Sequence, residues 1–164
     1  MSNPRDQLRR WKEYFEELLN RPAPTEPLEF PPAEVPVDIS TDPPSREEIR
    51  KAAAHLKNHK VPGPDGIPPE ALKAGSGTTV DMLHQLFLKI WEIGEIPRDW
   101  KHGYIITKPP KKGSLRDCEN WLGISLLSML GKVFNRILLM IMKTEVDRHL
   151  RNEQAGFRQD RSCT

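Results

Sequence analysis

The chain has 164 residues, of which 37% are hydrophobic and 29% charged, with a net charge of +2. That is about one domain's worth of chain, more polar than an average globular domain but not disordered by composition. No run of about 18 apolar residues occurs, which excludes a membrane-spanning helix, and "MSNPRDQLRRWKEYF" lacks the apolar core of a signal peptide. Cys118 and Cys163 have neither metal nor redox spacing, so reduced intracellular thiols are expected, with nucleus and cytoplasm equally open. The charge is uneven: residues 1–97 carry 12 Lys+Arg against 16 Asp+Glu, residues 98–164 carry 13 against 7. The second part is therefore the better face for a polyanion.

In chain order, "DQLRRWKEYFEELLNRP" spaces Leu8, Trp11, Phe15, Leu18 and Leu19 as one face of an amphipathic helix. Residues 21–44 hold 8 of the 16 prolines and read as an extended linker to which that helix is loosely attached. Ser45 and Glu48 form a capping box opening a second helix with Ile49, Ala53 and Leu56 as its buried stripe. His55 and His59 have the i, i+4 spacing of a helical metal pair, but no third ligand stands near them. "VDMLHQLFLKIWEIGEIP" predicts a strong helix with Leu83, Phe87, Ile90 and Trp91 inward, ended by Gly94 and Pro97. Tyr104–Thr107 reads as a short strand, "KPPKKG" as a basic turn and Gly123–Leu127 as a returning strand or a helix entry. A long helix follows over 127–150, with Leu130, Phe134, Ile137, Leu138 and Ile141 as its core face and Val146 and Leu150 extending it.

The segment "NHKVPGPDGIPPEALKAG" is stiff and cannot be regular helix or strand. Its prolines remove the N–H donors that a phosphate cradle needs, so it is not a nucleotide-binding glycine loop. Pro62, Pro64 and Pro68 lower the entropy lost on ordering, and Gly63 and Gly66 permit close backbone approach. A structural corner and a loop held in place to touch a ligand are both open.

Five blocks in order resemble one family: "RWKEYFEELLNRP", "NHKVPGPDGIPPEALKAG", "IPRDWKHGYIITKPPKKGSLRDCENW", "GISLLSMLGKVFNRIL" and "EQAGFRQDRSCT". Together they resemble the N-terminal part of the reverse transcriptase domain of non-LTR (LINE- and jockey-like) retrotransposons. The resemblance implies an α+β, helix-dominated fold: the fingers subdomain of a right-hand polymerase, truncated before the catalytic palm. It implies a helix preceding the domain over 1–21, a Pro-rich linker over 22–44 and a partial polymerase domain over 45–164. It implies that Lys60, Gly63, Asp65 and Gly66 lie against template RNA. Lys108, Lys111 and Lys112 would meet the triphosphate of the incoming nucleotide, where ammonium groups offset its charge. Gln154, Gly156, Phe157 and Arg158 would line the template–primer path, with Phe157 on a sugar or base and Arg158 on a phosphate.

Two departures bear on function. In "NWLGISLL", Leu122 stands where the family carries an arginine expected to reach the nucleotide phosphates. The loss of one charge-assisted hydrogen bond costs roughly 1.5–3 kcal/mol. The family's catalytic aspartates, which hold the two Mg ions of polymerisation, belong to motifs beyond "RSCT". Asp65, Asp81, Asp99, Asp117, Asp147 and Asp160 do not form a paired set, so no catalytic residue is assigned and no cofactor is expected on these residues. Function as a fragment of an RNA-directed DNA polymerase, partnered by RNA template, DNA primer and the remaining palm and thumb, is the leading expectation. A residual RNA-binding module and a non-functional relic are the alternatives. Fingers without a palm leave apolar helix faces uncovered, so isolated expression is expected to give self-association; a monomer by sedimentation with a sharp cooperative melt would contradict this.

Overall fold

The computed structural model describes residues 3–22, 37–74, 77–151, 153–156 and 158. The fold is α+β and helix-dominated, with one two-stranded antiparallel sheet. The chain divides into two compact units, one over residues 1–33 and 104–125, the other over 34–103 and 126–164. Most of the Pro-rich segment, residues 23–36, lies outside the described residues, as do Phe157 and the final six residues.

In the first unit, helix α1 (Pro4–Leu19) opens at Asn3, whose side chain accepts the Arg5 N–H at 3.1 Å. Part of its apolar face has a local partner, while Leu8, Leu18 and Leu19 stay exposed. Phe15 is buried, and the Trp11 ring lies edge-on to Trp121 with centroids 4.7 Å apart. At Gly123 any Cβ would come within 3.0 Å of the Phe15 ring, so only glycine lets the two segments approach this closely. Strands β1 (Gly103–Lys108) and β2 (Leu122–Leu127) pair as a sheet, extending the strand expected over Tyr104–Thr107 and resolving Gly123–Leu127 as strand.

The second unit contains the core. Helix α2 (Arg46–Ala54) starts with the expected capping box: Ser45 Oγ accepts the Glu48 N–H, and the Glu48 carboxylate accepts the Ser45 N–H at 2.8 Å. The helix ends at Ala54, and His59 takes a positive φ of 57°, so His55 and His59 share no helical face. The segment expected to hold no regular helix contains a short one, α3 (Pro69–Lys73), because Pro69 stands in its first turn, where a missing N–H costs no hydrogen bond. Helix α4 (Gly77–Ile93) buries Val80, Leu83, Phe87 and Ile90. Gly94, at φ 72°, stops it, its N–H bonding the Ile90 carbonyl at 2.9 Å. The Trp91 indole donates to the Thr41 carbonyl at 2.8 Å, tying down the extended chain that enters α2.

Helix α5 (Met129–His149) crosses this core with Met129, Val133, Phe134 and Ile137 fully inward. Leu130, Leu138 and Ile141 only flank it, and Val146 and Leu150 are exposed, so the inward stripe is rotated from the one read in the sequence and confined to the helix's first half. Trp100, in a 3-10 turn over Arg98–Lys101, packs edge-on to Phe87 and tilted on Phe134.

The Pro-Gly-Pro-Asp-Gly loop fixes the start of α5. Asp65 Oδ2 accepts the Ser128 hydroxyl at 2.7 Å and the Met129 N–H at 2.9 Å, while Ser128 Oγ accepts the Gly131 N–H at 3.1 Å. Two of the helix's four orphan N–H groups are thereby satisfied, and a carboxylate sits at its positive end. Gly63 is buried, and a Cβ there would fall under 3.0 Å from the Leu127 carbonyl and the Ser128 nitrogen. Asp65→Ala strands a buried hydroxyl and an amide and is expected to cost about 2–4 kcal/mol in denaturant unfolding. Gly63→Ala is expected to cost about 1–3 kcal/mol or more, because backbone must move. Gly77→Ala, where a Cβ meets nothing within 4 Å, should stay within about 1 kcal/mol of wild type. Equal costs at positions 63 and 77 would contradict the packing account.

Candidate nucleic-acid interface

Each unit carries one cluster of cations. In the first, the turn after β1 presents Lys108, Lys111 and Lys112, all exposed, and among the described residues none of the three has an ion pair or a side-chain hydrogen bond. The turn is nonetheless shaped. Gly113 takes φ 104° beside the Asn120 side chain, Asn120 Nδ2 donates to the Ser114 carbonyl at 3.1 Å, and the Trp121 indole donates to the Leu115 carbonyl at 3.2 Å. Leu122 opens β2 and Lys108 closes β1, so antiparallel pairing puts them at the same end of the sheet. Leu122 is 61% exposed and fills no core position.

In the second unit, Lys60 lines a pocket of about 290 Å³ together with His55, Lys57, Lys132 and Arg136, over an apolar floor of Ala52, Leu56, Pro69 and Met129. Of these side chains the sequence points to Lys60 as a ligand contact and to His55 only as half of a helical metal pair. The only signal of the others was the i, i+4 spacing of Lys132 and Arg136 on the polar side of α5, which has no meaning until the loop before α3 is folded against that helix.

Two of the remaining loop residues, Asp65 and Gly63, have intramolecular duties. Asp65, read as a template contact, has its carboxylate taken up by Ser128, Met129 and, at 3.4 Å, the Ile67 N–H. Gly63, read the same way, is buried against Leu127, whereas Gly66, at φ 64°, is exposed with open space around it. Glu70 braces the same loop: Oε1 accepts the His59 N–H at 2.6 Å, and Lys73 Nζ ties Leu56 and Asn58 through bonds of 3.2 and 2.7 Å.

At the C-terminal end, the expected phosphate contact Arg158 has a side chain only 6% exposed. Its Nε and one terminal nitrogen grip the Asp147 carboxylate at 2.7 and 3.2 Å, and it donates further to the Arg151 and Gln154 carbonyls at 3.0 and 3.3 Å. The hydrogen bond to Asp147 pushes the guanidinium pKa further up. Arg158 therefore clamps its own chain. Gln154 has an exposed side chain, Gly156 faces open space, and Phe157 lies outside the described residues.

The family's Mg chemistry needs converging carboxylates, and the described residues do not fit it. None of them form a group of three His, Cys, Asp or Glu able to hold a metal. Asp65 caps α5, Asp81 pairs with Arg46 at 2.6 Å and Asp147 with Arg158. No helix among the described residues is long and apolar enough to cross a membrane.

No family model matches the chain. It is 33% identical over 141 residues to a 115 kDa protein of the type-1 retrotransposable element R1DM of Drosophila melanogaster, a match covering 80% of this chain and 13% of that protein. It is 27% identical over 114 residues to the RNA-directed DNA polymerase from the mobile element jockey of the same fly, covering 68% of this chain and 12% of the polymerase. A 149 kDa protein of transposon TX1 from Xenopus laevis is 28% identical over 98 residues, covering 60% of this chain and 7% of that protein. The chain thus corresponds to a small part of each of these relatives.

The brace on the loop that carries Lys60 is titratable. Chiefly the His59 N–H, then its own backbone N–H and the charges of His59 and Lys73, hold the Glu70 carboxyl below the usual glutamate range. A lowered folded-state pKa means that the stabilisation is fully present above the ordinary value of about 4.3 and is lost as pH falls through the lowered one. The His59 amide is expected to lose hydrogen-exchange protection, after correction for intrinsic rates, only below that ordinary value. Glu70→Gln should abolish the dependence; an unchanged acid transition in that variant would assign it elsewhere.

Proposed function

We propose, for a chain that belongs with the non-LTR retrotransposon reverse transcriptases, that it supplies the fingers-type contacts of an RNA-directed DNA polymerase. In this reading the chain binds template RNA and the phosphates of the incoming nucleotide, and the bond-forming chemistry lies with Mg-binding carboxylates that are not among these residues. The observation that carries it is the basic turn. Lys108, Lys111 and Lys112 are exposed and, among the described residues, without counter-ions on a turn fixed by Asn120 and Trp121, in a chain related to proteins named as RNA-directed DNA polymerases. Three ammonium groups on one turn offset the charge of a triphosphate. Template contact falls to Lys60 and the exposed Gly66, with Gly63 and Asp65 shaping the loop that presents them. Arg158 drops out of the primer path, because its donors are committed to Asp147 and two carbonyls.

Leu122 favours a second reading, an RNA-binding module without nucleotide chemistry, since leucine gives a phosphate no hydrogen bond. The two readings separate in one titration. Addition of a deoxynucleoside triphosphate should shift the backbone amide resonances of Lys108 and of residues 111–114 on the polymerase reading, and Lys108→Gln/Lys111→Gln/Lys112→Gln should abolish those shifts. Leu122→Arg should fold normally at this exposed position and tighten binding by about tenfold or more, the equivalent of roughly 1.5–3 kcal/mol for a charge-assisted bond. Absence of shifts in both wild type and Leu122→Arg would reject the nucleotide role.

A further inference from the structure

We infer that the pocket walled by Lys57, Lys60, Lys132 and Arg136 binds one backbone phosphate of a single-stranded polynucleotide and rests the attached sugar or base on its apolar floor. The inference takes its class of ligand from the reading above, but it assigns a site that the reading does not require.

Charge pairing is the first ground. Four arginines elsewhere in this unit are paired, Arg46 with Asp81, Arg50 with Glu47, Arg148 with Glu145 and Arg158 with Asp147, while Arg98 and Arg151 stand exposed outside the pocket. Among the described residues, Lys57, Lys60, Lys132 and Arg136 have neither an ion pair nor a side-chain hydrogen bond, and no carboxylate lines their pocket. The carboxylates on adjoining segments are engaged, Asp65 with Ser128 and Met129, Glu70 with the His59 N–H. Four like charges on one pocket repel each other unless an anion sits among them.

Shape is the second ground. Lys132 and Arg136 stand one turn apart on α5, and Lys57 and Lys60 come from the segment after α2, so the cations form two walls of a slot. Arginine adds a planar fork suited to two phosphate oxygens. The floor of Ala52, Leu56, Pro69 and Met129 offers nothing to a bare anion but suits the apolar face of a ribose or base. At about 290 Å³ the pocket lies at the small end of ligand sites, room for about one nucleotide unit.

The test is fluorescence anisotropy with a labelled single-stranded oligouridylate over a salt series. Wild type is expected to bind at low salt with log K falling linearly in log salt. Lys132→Gln/Arg136→Gln should flatten that slope by about 0.7, the value for the one single-strand phosphate that the pocket no longer neutralises. Lys89→Gln/Arg98→Gln removes the same charge from exposed positions outside the pocket and should keep the wild-type slope. Circular dichroism checks that each variant folds, and Lys57→Gln/Lys60→Gln, on the non-helical wall, gives the same readout should the α5 pair unfold. No binding by wild type at low salt overturns the polynucleotide reading and this site with it. Wild-type binding with unchanged slopes in both pocket variants, or equal losses in the control, overturns the site alone. Displacement of the RNA by inorganic phosphate at equal phosphate concentration overturns the polynucleotide as occupant.

Discussion

One carboxylate joins the irregular and regular parts of the larger unit. Asp65 reaches from the Pro-Gly-Pro-Asp-Gly loop to the first turn of α5, where a single oxygen receives the Ser128 hydroxyl and the Met129 amide. Ser128 is 2% exposed and passes the chain of bonds on to the Gly131 N–H. A helix end buried without partners would carry unsatisfied donors, so the bond sets both the position where α5 starts and the path of the loop. Gly63 makes the contact possible by letting the loop backbone lie directly on that of Leu127. From this junction α5 crosses α2 and α4 and delivers Val133, Phe134 and Ile137 to the core.

The same junction creates the cationic pocket. With α5 fixed against the loop, Lys132 and Arg136 face the segment carrying Lys57 and Lys60. Neighbouring residues thereby differ in engagement: Asp65 and Gly63 shape the loop, and among the described residues Lys57 and Lys60 beside it have no ion pair. Arg158 shows the opposite division. It has the residue type of a phosphate contact, but its burial and its bonds to Asp147 make it a clamp on the end of α5. Residue type alone does not distinguish a free guanidinium from a committed one, because the difference lies in what surrounds it.

Local signals in the chain were sufficient for most elements. The Ser45–Glu48 capping box, the Gly94 stop and the apolar periodicity of α4 each act through neighbours a few residues away, so sequence specifies them directly. The basic turn at Lys108–Lys112 was legible for the same reason. The inward face of α5 was only partly legible: almost every turn of that helix is apolar, and Met129 and Val133 lead the buried stripe while Val146 and Leu150 face outward. Trp100 joined the core from a 3-10 turn that has no periodicity to read. The partners of α1, Trp121 and Gly123, lie some hundred residues away along the chain, beyond any local pattern.

By itself the sequence determined the long helices, the first strand and the basic turn, that Pro-Gly-Pro-Asp-Gly is stiff, and that the chain is kin to retrotransposon polymerases, but it left β2 open between strand and helix and missed α3. Those properties rest on short-range sterics, on hydrogen bonds within a few residues and on the order of motifs. Only the tertiary structure decided that Asp65 is a helix cap and Arg158 a clamp, and that Lys60 stands among three further cations. Each of those outcomes depends on side chains brought together from different parts of the chain, and long-range juxtaposition is fixed by packing rather than by local propensity.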